Sequence, residues 1–230
     1  MKTKRKLGCI PTLMMGLILV LTYGCQKEEE PPDKITDKDG NVYTSVTIGT
    51  QVWLVENLKT TKYNDGTSIP NVTDGTAWDN PTGGAYCWYQ NDISNKNLYG
   101  GLYNASTVTS GKLCPLGWHV PTHSEWQTLV GFAGGNMNAG GKLKETGTTH
   151  WNTPNTGATD EFGFKALPGG WRSVGASFIN LGNQGIWWTS TPGLQGYGLN
   201  AWDIETSKTS IDYETGYEPR FGMSVRCIKD

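Results

Sequence analysis

Long apolar runs are nearly absent from this chain. The one near the start, Ile10 to Leu21, falls short of the roughly 20 residues that a permanent membrane helix needs. Histidine is scarce as well, with only His119, His123 and His150. His119 and His123 are four apart, but Pro121 separates them and a helix starts only at Thr122. They therefore do not share a helical face as a zinc pair would, and surface or hydrogen-bonded histidines are expected. No serine stands in a Gly-x-Ser-x-Gly turn and no cysteine has a clear His partner, so nucleophilic catalysis leaves no signature. Aliphatic residues are sparse, whereas Gly reaches 31 and Trp 10, which fits a loop-rich domain with an indole-filled core better than a helix bundle.

The basic start Lys2, Lys4, Arg5 and Lys6, the apolar run and the small residue Gly24 read as a secretory signal over residues 1–24. LTYGC (Leu21 to Cys25) resembles a bacterial lipobox, with Thr22 where that pattern has an aliphatic residue. The resemblance implies cleavage before Cys25 and acylation of its thiol, and two or three acyl chains hold a protein stably to a membrane. Residues 25–36 then form an acidic, Pro-containing linker. Its start, QKEEE (Gln26 to Glu30), resembles the short tag that sends lipoproteins to the outer face of the outer membrane.

Cleavage removes four of the 19 Lys and Arg, leaving 19 − 4 = 15 against 21 Asp and Glu, so the formal charge moves from −2 to −6. That balance excludes nucleic acid as a partner, because such binding rests on cationic contacts to phosphates. It also excludes an electrostatic membrane patch and leaves attachment to the lipid. About 190 residues follow the linker, enough for one core. Cys87, Cys114 and Cys227 lie in this part; outside the cytoplasm two of them are expected to pair, with one left over.

From Asp37 the pattern is a hairpin: a turn at Asp39-Gly40-Asn41, alternating Val42, Thr44, Val46 and Ile48, then Gly49-Thr50 and a second run from Val52. Asp37, Asp39 and Asn41 have the spacing that opens a calcium loop, but the distal Glu is missing and an ordinary turn is expected. Residues 60–112 read as long loops with short strands at Ala85 to Gln90 and Gly101 to Asn104, packed by Tyr86, Trp88, Tyr89, Tyr99 and Tyr103. Thr122 and Glu125 form a capping box that opens a helix with Trp126, Leu129 and Val130 on one face, stopped by Gly134-Gly135. A weaker helix is expected at Ala139 to Glu145, where Gly140 and Gly141 disfavour it. Strand patterns follow at Glu161 to Arg172, Gly185 to Thr191, Leu199 to Glu205 and Gly222 to Asp230, so the expected class is α+β with mainly antiparallel strands, one or two helices and long loops.

Several segments in order, DGNVYTSVTIGTQVWLVENL (Asp39 to Leu58), YCWYQND (Tyr86 to Asp92), CPLGWHVPTHSEWQTL (Cys114 to Leu129), GFKALPGGWR (Gly163 to Arg172), WWTST (Trp187 to Thr191) and SVRCIKD (Ser224 to Asp230), resemble the Fibrobacter succinogenes major paralogous domain. The resemblance covers residues 37–230 and implies a secreted or surface domain. VPTHSEW, GFKALPGGWR and the terminal SVRC strand are also distantly similar to the formylglycine-generating-enzyme branch of the C-type-lectin-like fold. That likeness implies a Cys114–Cys227 disulfide and a buried Cys87. The branch's catalytic cysteine pair has no counterpart here, since Cys227 lacks a companion, so its activity does not carry over.

Calcium-dependent lectins hold their ion with a Glu-Pro-Asn-like loop and a Trp-Asn-Asp-like strand; TPN (Thr153 to Asn155) and AWD (Ala201 to Asp203) echo these only faintly. Asp160 with Glu161, and Asp203 with Glu205, are the acid pairs that glycoside cleavage would draw on, without a way to rank them. Trp187, Trp188 and Trp202 are candidates for stacking on a ligand, although neighbouring Trp187 and Trp188 point to opposite sides of a strand, so at most one is exposed. The expected function is a surface-exposed lipoprotein of the outer membrane whose non-catalytic domain binds a glycan or protein ligand, with no cofactor and no metal. An envelope hydrolase and a structural envelope or filament component are the alternatives.

Overall fold

The computed structural model describes residues 34–175 and 177–230. The stretch expected as signal peptide, Cys25 and most of the expected linker lie outside them. The paired chain begins inside the stretch expected as linker: β1 (Ile35–Thr36) pairs antiparallel with β2 (Val42–Tyr43) around the Asp37 turn. The Asp37 carboxylate accepts from the amides of Asp39 and Asn41, the Asn41 side chain and the Tyr43 hydroxyl, so donors of the chain itself fill the positions a calcium ion would use.

The expected hairpin is β3 (Ser45–Ile48) and β4 (Gln51–Leu54), turned at Gly49-Thr50. Its first strand does not run unbroken from Val42. At Thr44 both the amide and the hydroxyl donate to Glu56, and the break turns Tyr43 inward while Val42 stays exposed. Between residues 60 and 112 the chain is loop-rich but holds three helices that the pattern did not show: α1 (Gly75–Asp79), α2 (Lys96–Tyr99) and α3 (Ala105–Val108). Around them β5 (Tyr86–Cys87) pairs with β6 (Leu102–Tyr103).

After β7 (Trp118–His119) comes α4 (His123–Phe132), opened by the Thr122–Glu125 capping box with both reciprocal bonds made. The next helix, α5 (Asn136–Leu143), starts three residues earlier than expected. Gly140 and Gly141 belong there for a tertiary reason. A Cβ on Gly140 would sit 2.0 Å from the Ser210 carbonyl oxygen and one on Gly141 2.5 Å from that of Gly157, so only bare backbone lets these segments meet.

The remaining strands are β8 (Trp171–Arg172) with β9 (Phe178–Ile179), the three-stranded sheet β10 (Gln184–Pro192), β11 (Leu199–Glu205) and β12 (Asp212–Tyr217), and β13 (Ile228–Lys229). Every pairing between these strands is antiparallel, and β13 lies inside a sheet of order β3-β4-β13-β7. Cys227 precedes β13 and Cys114 precedes β7, and the two form the disulfide, closing a separation of 113 residues; Cys87 is free and buried. Of the expected strand Glu161 to Arg172 only its end is regular, because Pro168 and Gly169-Gly170 interrupt ladder bonding.

The core is built largely of indole. β10 runs between two clusters: Trp187 packs with Trp53, Trp126, Trp151 and Trp202 on one side, Trp188 with Tyr103, Leu199 and Val225 on the other. Arg226 crosses the first cluster with its guanidinium 4.1 Å from the Phe164 ring centroid. It donates to the Phe164 carbonyl and to the Asn57 side chain, which also accepts from Trp187 Nε1. Among the described residues no helix is long and apolar enough to cross a membrane.

Candidate functional site

Antiparallel register sets Trp187 opposite Trp202, and Trp202 opposite Tyr213, so one face of the β10-β11-β12 sheet carries a row of rings. Alternation sends Asp203 and Asp212, themselves paired, to the other face. α4 lies on the aromatic face with Trp126 against Trp187 and Trp202, at centroid distances of 6.0 and 6.4 Å. The capping box fixes where this helix begins, and the His123 amide ties it to the end of β10 by donating to Thr191 Oγ1 (2.9 Å). That puts the His123 ring nearly parallel to Trp202, 5.3 Å away at 12°, and 4.0 Å from Tyr213.

Where the aromatic row reaches the surface, a cleft of about 320 Å³ opens between the sheet, α4 and the start of α5. Trp202 forms its floor, His123 and Tyr213, in contact with each other, one aromatic side, and Gln127 and Asn136 its amide side. The wall at α5 is held by Gly135, which turns the chain at φ +79°, and by the Ile211 amide donating to the Asn136 carbonyl (2.8 Å). None of the lining side chains carries a carboxylate, a lysine or an arginine. Burial lowers the His123 pKa below its ordinary 6.5, so the ring is neutral at pH 7. His123 Nδ1 and Trp202 Nε1 are buried without a hydrogen-bond partner. Buried polar groups are usually matched, and two orphans on the lining of one cleft set it apart.

A second cluster lies on the opposite face. Carboxylate oxygens of Asp203, Glu205 and Asp212 fall within 4.8 Å of one another. Lys208 occupies the position of a cation there, with its ammonium 3.0 Å from Glu205 and 3.1 Å from Asp212, and those hydrogen bonds raise its pKa to about 12. Asp203 is buried, accepts from Gln184 Nε2 (2.9 Å) and is pushed up to about 6, chiefly by desolvation. Lys208 thus engages two of the three carboxylates and Gln184 the third, so the group is occupied by the chain's own donors rather than standing as a set of free ligands.

The tryptophan candidates need correction. Trp187 and Trp188 do point to opposite sides, but neither is exposed, because β10 has a packed core on both faces; each is 0% exposed. Trp202 is 2% exposed and reaches the cleft only as its floor. None of the three presents a free ring face. The histidines are dispersed: His119 bridges Glu125 (2.9 Å) and Asp230 (2.7 Å), His150 contacts Glu145 (2.6 Å), and His123 faces the cleft. Burial opposes the charge on His119, but hydrogen bonds to Asp230 and Glu125 outweigh it and raise the pKa. The lectin echoes are engaged elsewhere, since the Asn155 amide donates to the Glu145 and Gly147 carbonyls and Asp203 accepts from Gln184. Asp160 accepts from the Lys165 amide and Glu161 pairs with Lys142. Cys25 lies outside the described residues.

Tyr213, Gln127 and Asn136 were not legible as site residues. Tyr213 sits in IDYETGY (Ile211 to Tyr217), where Ile211, Tyr213 and Thr215 alternate weakly, the only signal that β12 exists. A family model described as the Fibrobacter succinogenes major domain matches residues 46–229. No curated protein and no solved structure matches the chain.

Proposed function

The chain belongs to the Fibrobacter succinogenes major domain family, and we propose, from its basic start, apolar run and lipobox-like LTYGC, a surface-exposed lipoprotein anchored through Cys25, whose C-type-lectin-like domain binds a ligand without transforming it. The observation that carries the binding reading is the cleft of His123, Trp202 and Tyr213: an aromatic side, an amide side and no acid. Ligand sites of this kind are mostly apolar with a few placed polar groups. Hydrolysis of a glycoside needs two carboxylates flanking the scissile bond, and this cleft offers none. Asp203, with its pKa near 6, is the one feature that speaks for an envelope hydrolase, and its burial on the far face of the sheet keeps it from any substrate in the cleft. The disulfide supports export to an oxidising compartment.

Two measurements test this. Cells fed labelled palmitate incorporate it into the wild-type protein and not into Cys25→Ser, which is then released from the membrane fraction; equal membrane association of both removes the anchor. The purified protein, screened on glycan and peptide arrays with and without a chelator, is retained on some ligand and releases no product. Turnover of the retained ligand would replace binding with catalysis.

A further inference from the structure

The cleft's chemistry narrows the ligand beyond the binding reading on which this inference rests. Its lining carries no full charge, and His123 is kept neutral by burial. A charged ligand group would lose its hydration there with no counter-ion in return, which disfavours acidic sugars, phosphates and charged peptide side chains. The domain's negative balance adds a second penalty for anions. A purely apolar ligand fares no better. It would cover the Gln127 and Asn136 carboxamides and the His123 ring, whose Nδ1 is already unpartnered, without giving any of them a hydrogen bond.

What fits is a neutral molecule with an apolar face and hydroxyls on its rim. Carboxamides and a neutral imidazole both donate and accept, as hydroxyls do, while an aromatic ring takes up a face of C–H groups. A pyranose ring has that division. An extended peptide would secure itself by main-chain pairing along a sheet edge, yet this cleft lies over the side-chain face of the sheet, against Trp202 and Tyr213. At about 320 Å³ it is at the small end of ligand sites, matching a short segment of a longer chain. We propose that the cleft between α4 and the β11-β12 pair binds one or two neutral hexose or pentose pyranose units of a glycan, with Tyr213 and the His123 ring packed against it as one stacking surface and Gln127 and Asn136 as hydroxyl partners, and that it does so without a metal ion.

The test is isothermal titration of the full-length protein in a detergent free of sugar, with cellotetraose, xylotetraose, mannotetraose and maltotetraose as neutral probes and tetragalacturonate as the acidic one. At least one neutral probe binds, EDTA leaves the affinity unchanged, and Tyr213→Ala and Gln127→Ala each weaken it, the tyrosine change by about tenfold. Tyr197→Ala, an exposed ring elsewhere on the surface, leaves it intact. Tyr213 is itself partly exposed, and near-ultraviolet circular dichroism verifies that its variant is folded. The proposal is overturned if no neutral probe gives heat, if EDTA abolishes binding, if only tetragalacturonate binds, or if neither cleft variant weakens the interaction. A peptide whose binding is lost in Tyr213→Ala would overturn the glycan assignment and leave the binding-domain reading standing. Release of new reducing ends from a probe would overturn that reading itself.

Discussion

Asp203 shows how one buried side chain turns into a measurable pH dependence. Its folded pKa near 6 stands above the ordinary 3.8, so the folded state holds a proton more tightly than the unfolded chain. Stability from this group is therefore largest below about 3.8, falls as pH rises toward 6, and stays at its low value above that. Asp203→Asn keeps an acceptor for Gln184 and removes the titration. Urea melts at pH 7 are expected to show the variant more stable by about 1–3 kcal/mol, with the advantage vanishing near pH 4. Equal stability of the two proteins across that range would place the carboxylate in water instead. Such a residue is invisible in the linear chain: LNAWDIE reads as a strand, but only the packing of β10 and β12 on either side decides that Asp203 is buried.

At the scale of elements, local signals held where the relevant contacts are close in sequence. Thr122 and Glu125 set the start of α4, and Gly49-Thr50 sets the hairpin turn, because caps and tight turns are satisfied within a few residues. They failed where a distant segment decides. Gly140 and Gly141 argue against a helix by propensity, yet they are in α5 because segments 157 and 209–210 pass against them. Gly140→Ala, which propensity alone predicts to stabilise by about 1 kcal/mol, is expected to destabilise by roughly 1–3 kcal/mol through the clash with the Ser210 carbonyl. Thermal melting reads the sign directly, and a raised midpoint would show that the backbone yields. The helices α1, α2 and α3 are too short for a periodic pattern to register.

Across the whole molecule, the last strand draws the fold together. β13 lies between β4 and β7, and the Cys114–Cys227 bridge joins the run-up to both β13 and β7. A loop of 113 residues removes considerable freedom from the unfolded chain, so the double variant Cys114→Ser/Cys227→Ser is expected to lose about 3–5 kcal/mol and to melt at a lower temperature in a reductant-independent way. Cys87→Ala retains the sensitivity of the wild type to reductant. Burial pushes the Cys87 thiol up to about 11, and a thiol reagent is expected to label it only after unfolding. Labelling of the native protein at the same rate would mean that its surroundings open.

The chain by itself determined the α+β class, the α4 start, the indole core and, through resemblance, the disulfide, since each depends on residue type or on order along the sequence. Tertiary structure alone decided which rings are reachable. Trp187, Trp188 and Trp202 looked like ligand platforms because indoles are large and flat, but strands covered on both faces hide them. Tyr213 reaches solvent because β12 is an edge strand, and His123 meets it because α4 crosses the sheet at that point. Exposure is a property of what lies on top of a residue, and no residue carries that information in its own name.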